Sequence, residues 1–208
     1  GKSTTVTTSS SPDANCMPVV IMAKMGGGKS SLLENQGVDA VKNDETLINI
    51  DFIKNCEVSD NIIRNIDKNH NFTLLCGSLS EVSNFAHVDN TAFKIIKKCT
   101  PGPFTFILKA TKEVPRRLMN EKRKDIGIRI PSNAIMRELL SNIGSPLMSV
   151  SLILPGNEVA ENNPYEIEEE LGNQVDLIVD GGYLEETPTT VVNMVDDVIE
   201  VIREGAGD

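Results

Sequence analysis

"TPGPFTFILKATKEVPRRLMNEKRKDIGIRI" (100–130) holds the two runs that decide the fold. Successive side chains of a β-strand point to opposite faces of its sheet. In "FTFIL" (104–108), Phe104, Phe106 and Leu108 therefore share one face, and Thr105 and Ile107 the other. In "IGIRI" (126–130), Ile126, Ile128 and Ile130 share a face, with Gly127 and Arg129 opposite. Each run sets an apolar face against one of small, hydroxyl-bearing or guanidinium side chains. The breaker "TPGP" (100–103) precedes the first run.

The pattern continues in both directions. "LMSVSLIL" (147–154) reads as a third such strand, with Met148, Val150, Leu152 and Leu154 on one face and Ser149 and Ser151 on the other. "FTLLC" (72–76), "VDLIVD" (175–180), "TVVNM" (190–194) and "VIEVIR" (198–203) are further strands. Helices are expected near 79–86, over 89–98 with Asp89 or Asn90 as N-cap, over 133–143 with Gly144 as stop, and over 163–172 with Asn163 as N-cap and Pro164 in the first turn. The mixture predicts an α/β protein with a mixed sheet.

If the three patterned strands lie in one sheet, one face is packed and the other is a polar floor containing an arginine. Such a floor suits an anion, because the guanidinium fork and neighbouring hydroxyls donate to phosphate or carboxylate oxygens. The alternative is a sheet face that simply meets water. The small residues Thr105, Gly127, Ser149 and Ser151 favour a binding surface, since a solvated face usually carries Lys and Glu.

Composition narrows the class. The chain has 208 residues, 39% hydrophobic but only 4% aromatic and without Trp, so its core is built from Ile, Val and Leu. The formal net charge of −10 argues against a protein that coats nucleic acid with its whole surface. Cys16, Cys56, Cys76 and Cys99 form no CxxC pair, and His70 and His87 stand apart from them, so buried thiols are expected rather than disulfides or a metal site. No apolar run approaches the roughly 20 residues of a membrane span. Residues 1–17 are expected to be a disordered Ser/Thr-rich tail without signal-peptide character, ahead of a single domain over 18–208, and the cytoplasm is the expected location.

Two features point to other chemistries. The segment 109–124 holds seven Lys/Arg against two Glu in 16 residues, which suits polyphosphate or RNA, or else a solvated loop that balances an acidic protein. "AKMGGGKS" (23–30) approximates a phosphate-binding loop, with Ala23 for the first glycine, Lys29 as the candidate phosphate ligand, and Asp51 closing a following apolar run. Its helix candidate is short and soon interrupted by Gly37, so a plain turn is the competing reading.

"HNFTLLC", "TPGPFTFILKATKEVPRRLMNEKRKDIGIRIPSN", "PLMSVSLILPGNE", "VDLIVDGGYLEETPTTVV" and "REGAGD" together resemble the YrdC/YciO family, its YciO branch above all, from His70 to Asp208. Residues 18–69 are atypical. The resemblance implies a twisted mixed sheet with helices on one face and a concave groove on the other, which binds ATP with Mg²⁺ and condenses it with threonine and bicarbonate into threonylcarbamoyl-adenylate, the precursor of a tRNA modification. It also implies a role in double-stranded RNA or tRNA binding. By matched position, Arg64, Thr105 and Arg129 would be catalytic, and Ser149, Ser151, Thr189, Thr190 and Arg203 would contact nucleotide. Ile62 stands where the family has the lysine of its Lys-x-Arg motif, Leu152-Ile153 follow the serines, and no "PTDT" segment precedes residue 62. These departures imply an impaired synthase or a non-catalytic nucleotide- or RNA-binding module.

Overall fold

The computed structural model describes residues 4–7, 19–21, 73–114, 124–172, 177–181, 183, 187–195 and 199–208. The chain divides into two compact units, Gly1–Asn65 with Ser151–Glu186, and Ile66–Val150 with Thr187–Asp208. The basic segment 115–123, the loop at 23–30, Asp51, Cys16, Cys56 and the region around Ile62 lie outside the described residues.

The second unit carries a six-stranded mixed sheet. Its strands are β3 (Thr73–Leu75), β4 (Phe104–Lys109), β5 (Asp125–Arg129), β6 (Leu147–Ser149), β8 (Thr190–Asn193) and β9 (Glu200–Arg203), in the order β6-β3-β5-β4-β8-β9. β3 runs parallel to β5 and β4 parallel to β8, and the remaining neighbours are antiparallel. The register places Met148, Leu74, Ile128, Phe106 and Val192 in one row across five strands. That row is the core face. Phe106 and Ile128 are fully buried, and Val82, Ala92 and Ile96 of helices α1 (Leu79–Phe85) and α2 (Asn90–Cys99) belong to the same cluster. The apolar faces expected of "FTFIL" and "IGIRI" are therefore the buried ones.

Local chemistry sets the helix ends. Ser78 Oγ accepts the Glu81 N–H at 3.2 Å, and the Glu81 carboxylate reaches back to the Gly77 N–H at 2.7 Å, so two otherwise orphaned donors are satisfied. Asp89 Oδ1 accepts from Thr91 and Ala92 N–H at 2.8 and 2.7 Å, at the end of α2 where the helix dipole favours a negative charge. In α3 (Ala134–Ile143), Met136, Leu139, Leu140 and Ile143 form the buried stripe, and Asn133 Oδ1 caps Met136 N–H at 2.9 Å. Gly144 ends this helix in the left-handed region, with φ +67° and no neighbour within 4 Å of the position a Cβ would take. Gly144→Ala is thus expected to cost about 1 kcal/mol through backbone conformation alone, with Gly144→Asn costing less; urea unfolding of both variants checks this.

The first unit holds a three-stranded sheet of β1 (Thr4–Thr7), β2 (Val19–Ile21) and β7 (Leu177–Asp180), in which the central β7 pairs parallel with β1 and antiparallel with β2. Helix α4 (Pro164–Leu171) starts as expected, with Asn163 Oδ1 accepting the Tyr165 N–H and proline in the first turn. The strand expected over 147–154 stops at Ser149. Beyond it, Leu152 and Leu154 pack against Ile167 and Leu171 of α4 and Ile178 of β7. The apolar alternation along 147–154 thus serves two different cores, and no single strand carries it.

Among the described residues Cys76 and Cys99 are free. Burial, and then the Glu81 carboxylate, push the Cys76 thiol up to about 12, so it is an inert core group.

Candidate functional site

The sheet face opposite the core presents two rows. Ser149, Thr73, Gly127, Ile107 and Asn193 are in register across five strands. The second row runs Leu147, Leu75, Arg129, and then, through Thr105, to Val191 and Arg203. Thr105 sits one step beyond the Phe106–Ile128 pair and so lies beside Arg129. The face is mixed: Leu147, Leu75, Ile107 and Val191 share it with the polar groups Ser149, Thr105 and Arg129 expected from β4, β5 and β6, and Asn193 and Arg203 carry polar groups onto β8 and β9.

Arg203 reaches this face because of an irregularity in register. Between Val191 and Val192 the pairing slips, so that Val192 opposes Val201 while Val191 opposes Arg203. In an unbroken ladder Ile202 would stand opposite Val191. One extra residue in the edge strand thus turns Arg203 to the floor, which is what a β-bulge does to the side chains beyond it.

Around the two arginines the hydroxyl groups are linked. Thr105 Oγ1 and Thr189 Oγ1 lie 2.8 Å apart in a buried hydrogen bond. Arg203 donates to the Thr189 carbonyl from Nε at 3.1 Å and from Nη2 at 2.8 Å, and Nη2 also meets Thr189 Oγ1 at 3.1 Å. Arg203 is therefore held in one orientation. Arg129 is different: its Nε is buried and has no hydrogen-bond partner among the described residues. Burial, and then repulsion from Arg203, lower the Arg129 guanidinium from the usual arginine range to about 10, so it remains cationic at neutral pH. A buried donor without an acceptor is costly, and two guanidiniums that repel each other add to the cost. Both costs are relieved by an anion.

The other sequence candidates have separate fates. Ser149 lies on the floor, but its hydroxyl donates to the Thr73 carbonyl at 3.3 Å. Thr190 pairs with Phe104, so it belongs to the opposite face from Thr105. Its hydroxyl donates to the Gly207 carbonyl at 2.7 Å and accepts the Gly205 and Gly207 N–H groups, both at 3.0 Å. Ser151 is exposed and belongs to the first unit. Lys29 and Arg64 lie outside the described residues. The roles of Gly205 and Gly207 escaped the sequence reading. Asn133 is a further missed group, with a buried Nδ2 that has no partner among the described residues.

A mixed sheet with one aliphatic face and one face of paired arginines and threonines defines an α/β protein with a candidate anion-binding floor. Comparison with known proteins places it more narrowly. The chain belongs to the Sua5/YciO/YrdC family, whose model, described as "Telomere recombination", matches residues 59–205. YciO of Escherichia coli (strain K12) is 48% identical over 186 residues, covering 85% of this chain and 90% of YciO. That span exceeds what residues 70–208 alone hold, so the likeness reaches into the N-terminal third. The crystal structure of E. coli YciO superposes with a TM-score of 0.67 at 55% identity, over 71% of this chain and 72% of that one. A putative threonylcarbamoyl-AMP synthase of Methanocaldococcus jannaschii is 37% identical over 127 residues, 61% of this chain and 58% of the relative. P. abyssi Sua5 complexed with L-threonine shares the fold, with a TM-score of 0.63 at 19% identity over 68% of this chain and 42% of that one. No described helix is long and apolar enough to cross a membrane.

Proposed function

We propose that the chain binds ATP on the floor of its six-stranded sheet and condenses it with threonine and bicarbonate to threonylcarbamoyl-adenylate. The observation that carries this reading is the buried Nε of Arg129, without a partner among the described residues, beside the guanidinium of Arg203. Support comes from the putative threonylcarbamoyl-AMP synthase among its relatives and from the Sua5 structure holding L-threonine.

The chemistry needs no protein nucleophile. Bicarbonate takes up a proton and loses water to give carbon dioxide, and the neutral threonine amine adds to it and releases a proton, forming a carbamate. A carbamate oxygen then attacks the α-phosphorus, the bond to the bridging oxygen breaks, and pyrophosphate leaves. Arg129 and Arg203 hold and neutralise phosphate oxygens, and Thr105 and Thr189 orient them. Mg²⁺ would be carried on the triphosphate, where it would neutralise charge on the leaving group.

Purified protein given ATP, Mg²⁺, bicarbonate and threonine is expected to release pyrophosphate only when threonine is present. ATP binding without threonine-dependent pyrophosphate would sink the synthase reading. It would leave the second one, a nucleotide- or RNA-binding module, which Ile62 at the position of the family's lysine favours. Binding of tRNA or short duplex RNA by the same protein, with loss on replacing Arg116, Arg117 and Arg123, would identify the RNA-binding form of that module.

A further inference from the structure

We infer that residues Gly205–Gly207 form a latch, closed by the Thr190 hydroxyl, that positions Arg203 for its anionic ligand; Thr190 is a positioning residue and not a ligand contact. The inference rests on the floor of the sheet being the anion site, but its central claim is about Arg203 itself.

A hydroxyl has one proton to give and two lone pairs. Thr190 uses all three, donating to the Gly207 carbonyl and accepting from the Gly205 and Gly207 N–H groups. It has nothing left for a phosphate. Its pairing with Phe104 also turns it to the face away from Arg129. The Ala206 N–H adds a fourth bond, to the Pro188 carbonyl at 2.8 Å. The strand end that carries Arg203 is thus tied down on one face of the sheet while its guanidinium acts on the other.

The two glycines are required by close approach. A Cβ on Gly205 would meet the Pro188 carbonyl oxygen, and one on Gly207 would come within 2.5 Å of the Phe104 ring. Both contacts lie well inside the range of real side-chain packing. The same stretch, 188–190, that receives the tail also presents the Thr189 carbonyl to Arg203 Nε and Nη2. Loosening the tail therefore frees the backbone on both sides of that bidentate bond.

The test compares Thr190→Val, which keeps the shape and removes the hydroxyl, with Thr190→Ser, which keeps the hydroxyl. Nuclear magnetic resonance follows the Nε–H signal of Arg203 and amide exchange over 204–208, and ATP with Mg²⁺ is the ligand probe. Thr190→Val is expected to broaden or lose the Arg203 signal, to speed exchange at Gly205 and Gly207, and to weaken ATP binding on the order of tenfold. Thr190→Ser is expected to restore all three. An unchanged Arg203 signal in Thr190→Val overturns the latch. A lost Arg203 signal with undiminished ATP affinity overturns its positioning role. If the parent protein binds no ATP, the proposed function fails, while the Arg203 signal still decides the latch.

Discussion

Arg129→Leu is expected to weaken ATP binding on the order of 100-fold while leaving the protein as stable as the parent, or more stable by about 1 kcal/mol. The two effects have one origin. Arg129 is half-buried, its enclosed Nε lacks an acceptor among the described residues, and Arg203 repels it. The folded protein therefore bears a cost that only an anion removes. Leucine fills much of the same space and carries no charge to desolvate. The pH dependence follows with a definite sign. The folded-state value of about 10 lies below the ordinary arginine value, so folding disfavours the charged form. That penalty is fully present below about pH 10 and is relieved as the pH climbs from there towards the ordinary value, because the unfolded chain then holds more protons. Over the same window ATP binding is expected to fade. Titration calorimetry with Arg129→Leu and with Lys29→Ala separates the candidate sites. Retained affinity in the first variant and loss in the second would move the nucleotide to the loop at 23–30.

The largest loss of stability is expected from Phe106→Ala, about 3–5 kcal/mol, with a fall in melting temperature of more than about 10 °C. Phe106 is fully buried at the centre of β4, with Ile128 beside it on β5 and Val192 on β8. It stacks on Phe104 with ring centroids 6.0 Å apart and planes inclined by 13°. Because interiors are close-packed, the neighbours collapse only partly and a cavity remains. Thr105 and Arg129 are adjacent to this row, so loosening it is expected to blur the floor as well. Chemical denaturation checks the figure, and a loss well under about 1 kcal/mol would show that the ring is not part of a tightly packed core.

Strand alternation is a purely local rule, and in β4 and β5 nothing interrupts it. Thr105 and Arg129 were legible for that reason. The caps at Asp89, Asn163 and Gly144 were legible for another: a cap is decided by one side chain and the next few backbone groups. Ser149 was placed on the correct face, yet the run beyond it was misread as strand, since alternation cannot say which core a leucine will join. Arg203 on the floor could not be derived from alternation, because an inserted residue leaves no mark in a short apolar strand such as "EVIR". The part played by Thr190 was hidden by distance. Its partners lie 15 and 17 residues later in the chain, and a threonine beside another threonine suggests a shared role that the sheet register denies.

The slip between Val191 and Val192 also bears on how such a site can be acquired. A residue inserted into an outermost strand changes the address of every side chain after it and of none before it. The interior strands, with their tightly fitted hydrophobic row, need no adjustment. A second cation can thus be delivered to an existing surface by a change in length at the margin of the sheet, where the neighbour on one side is the only one to accommodate it.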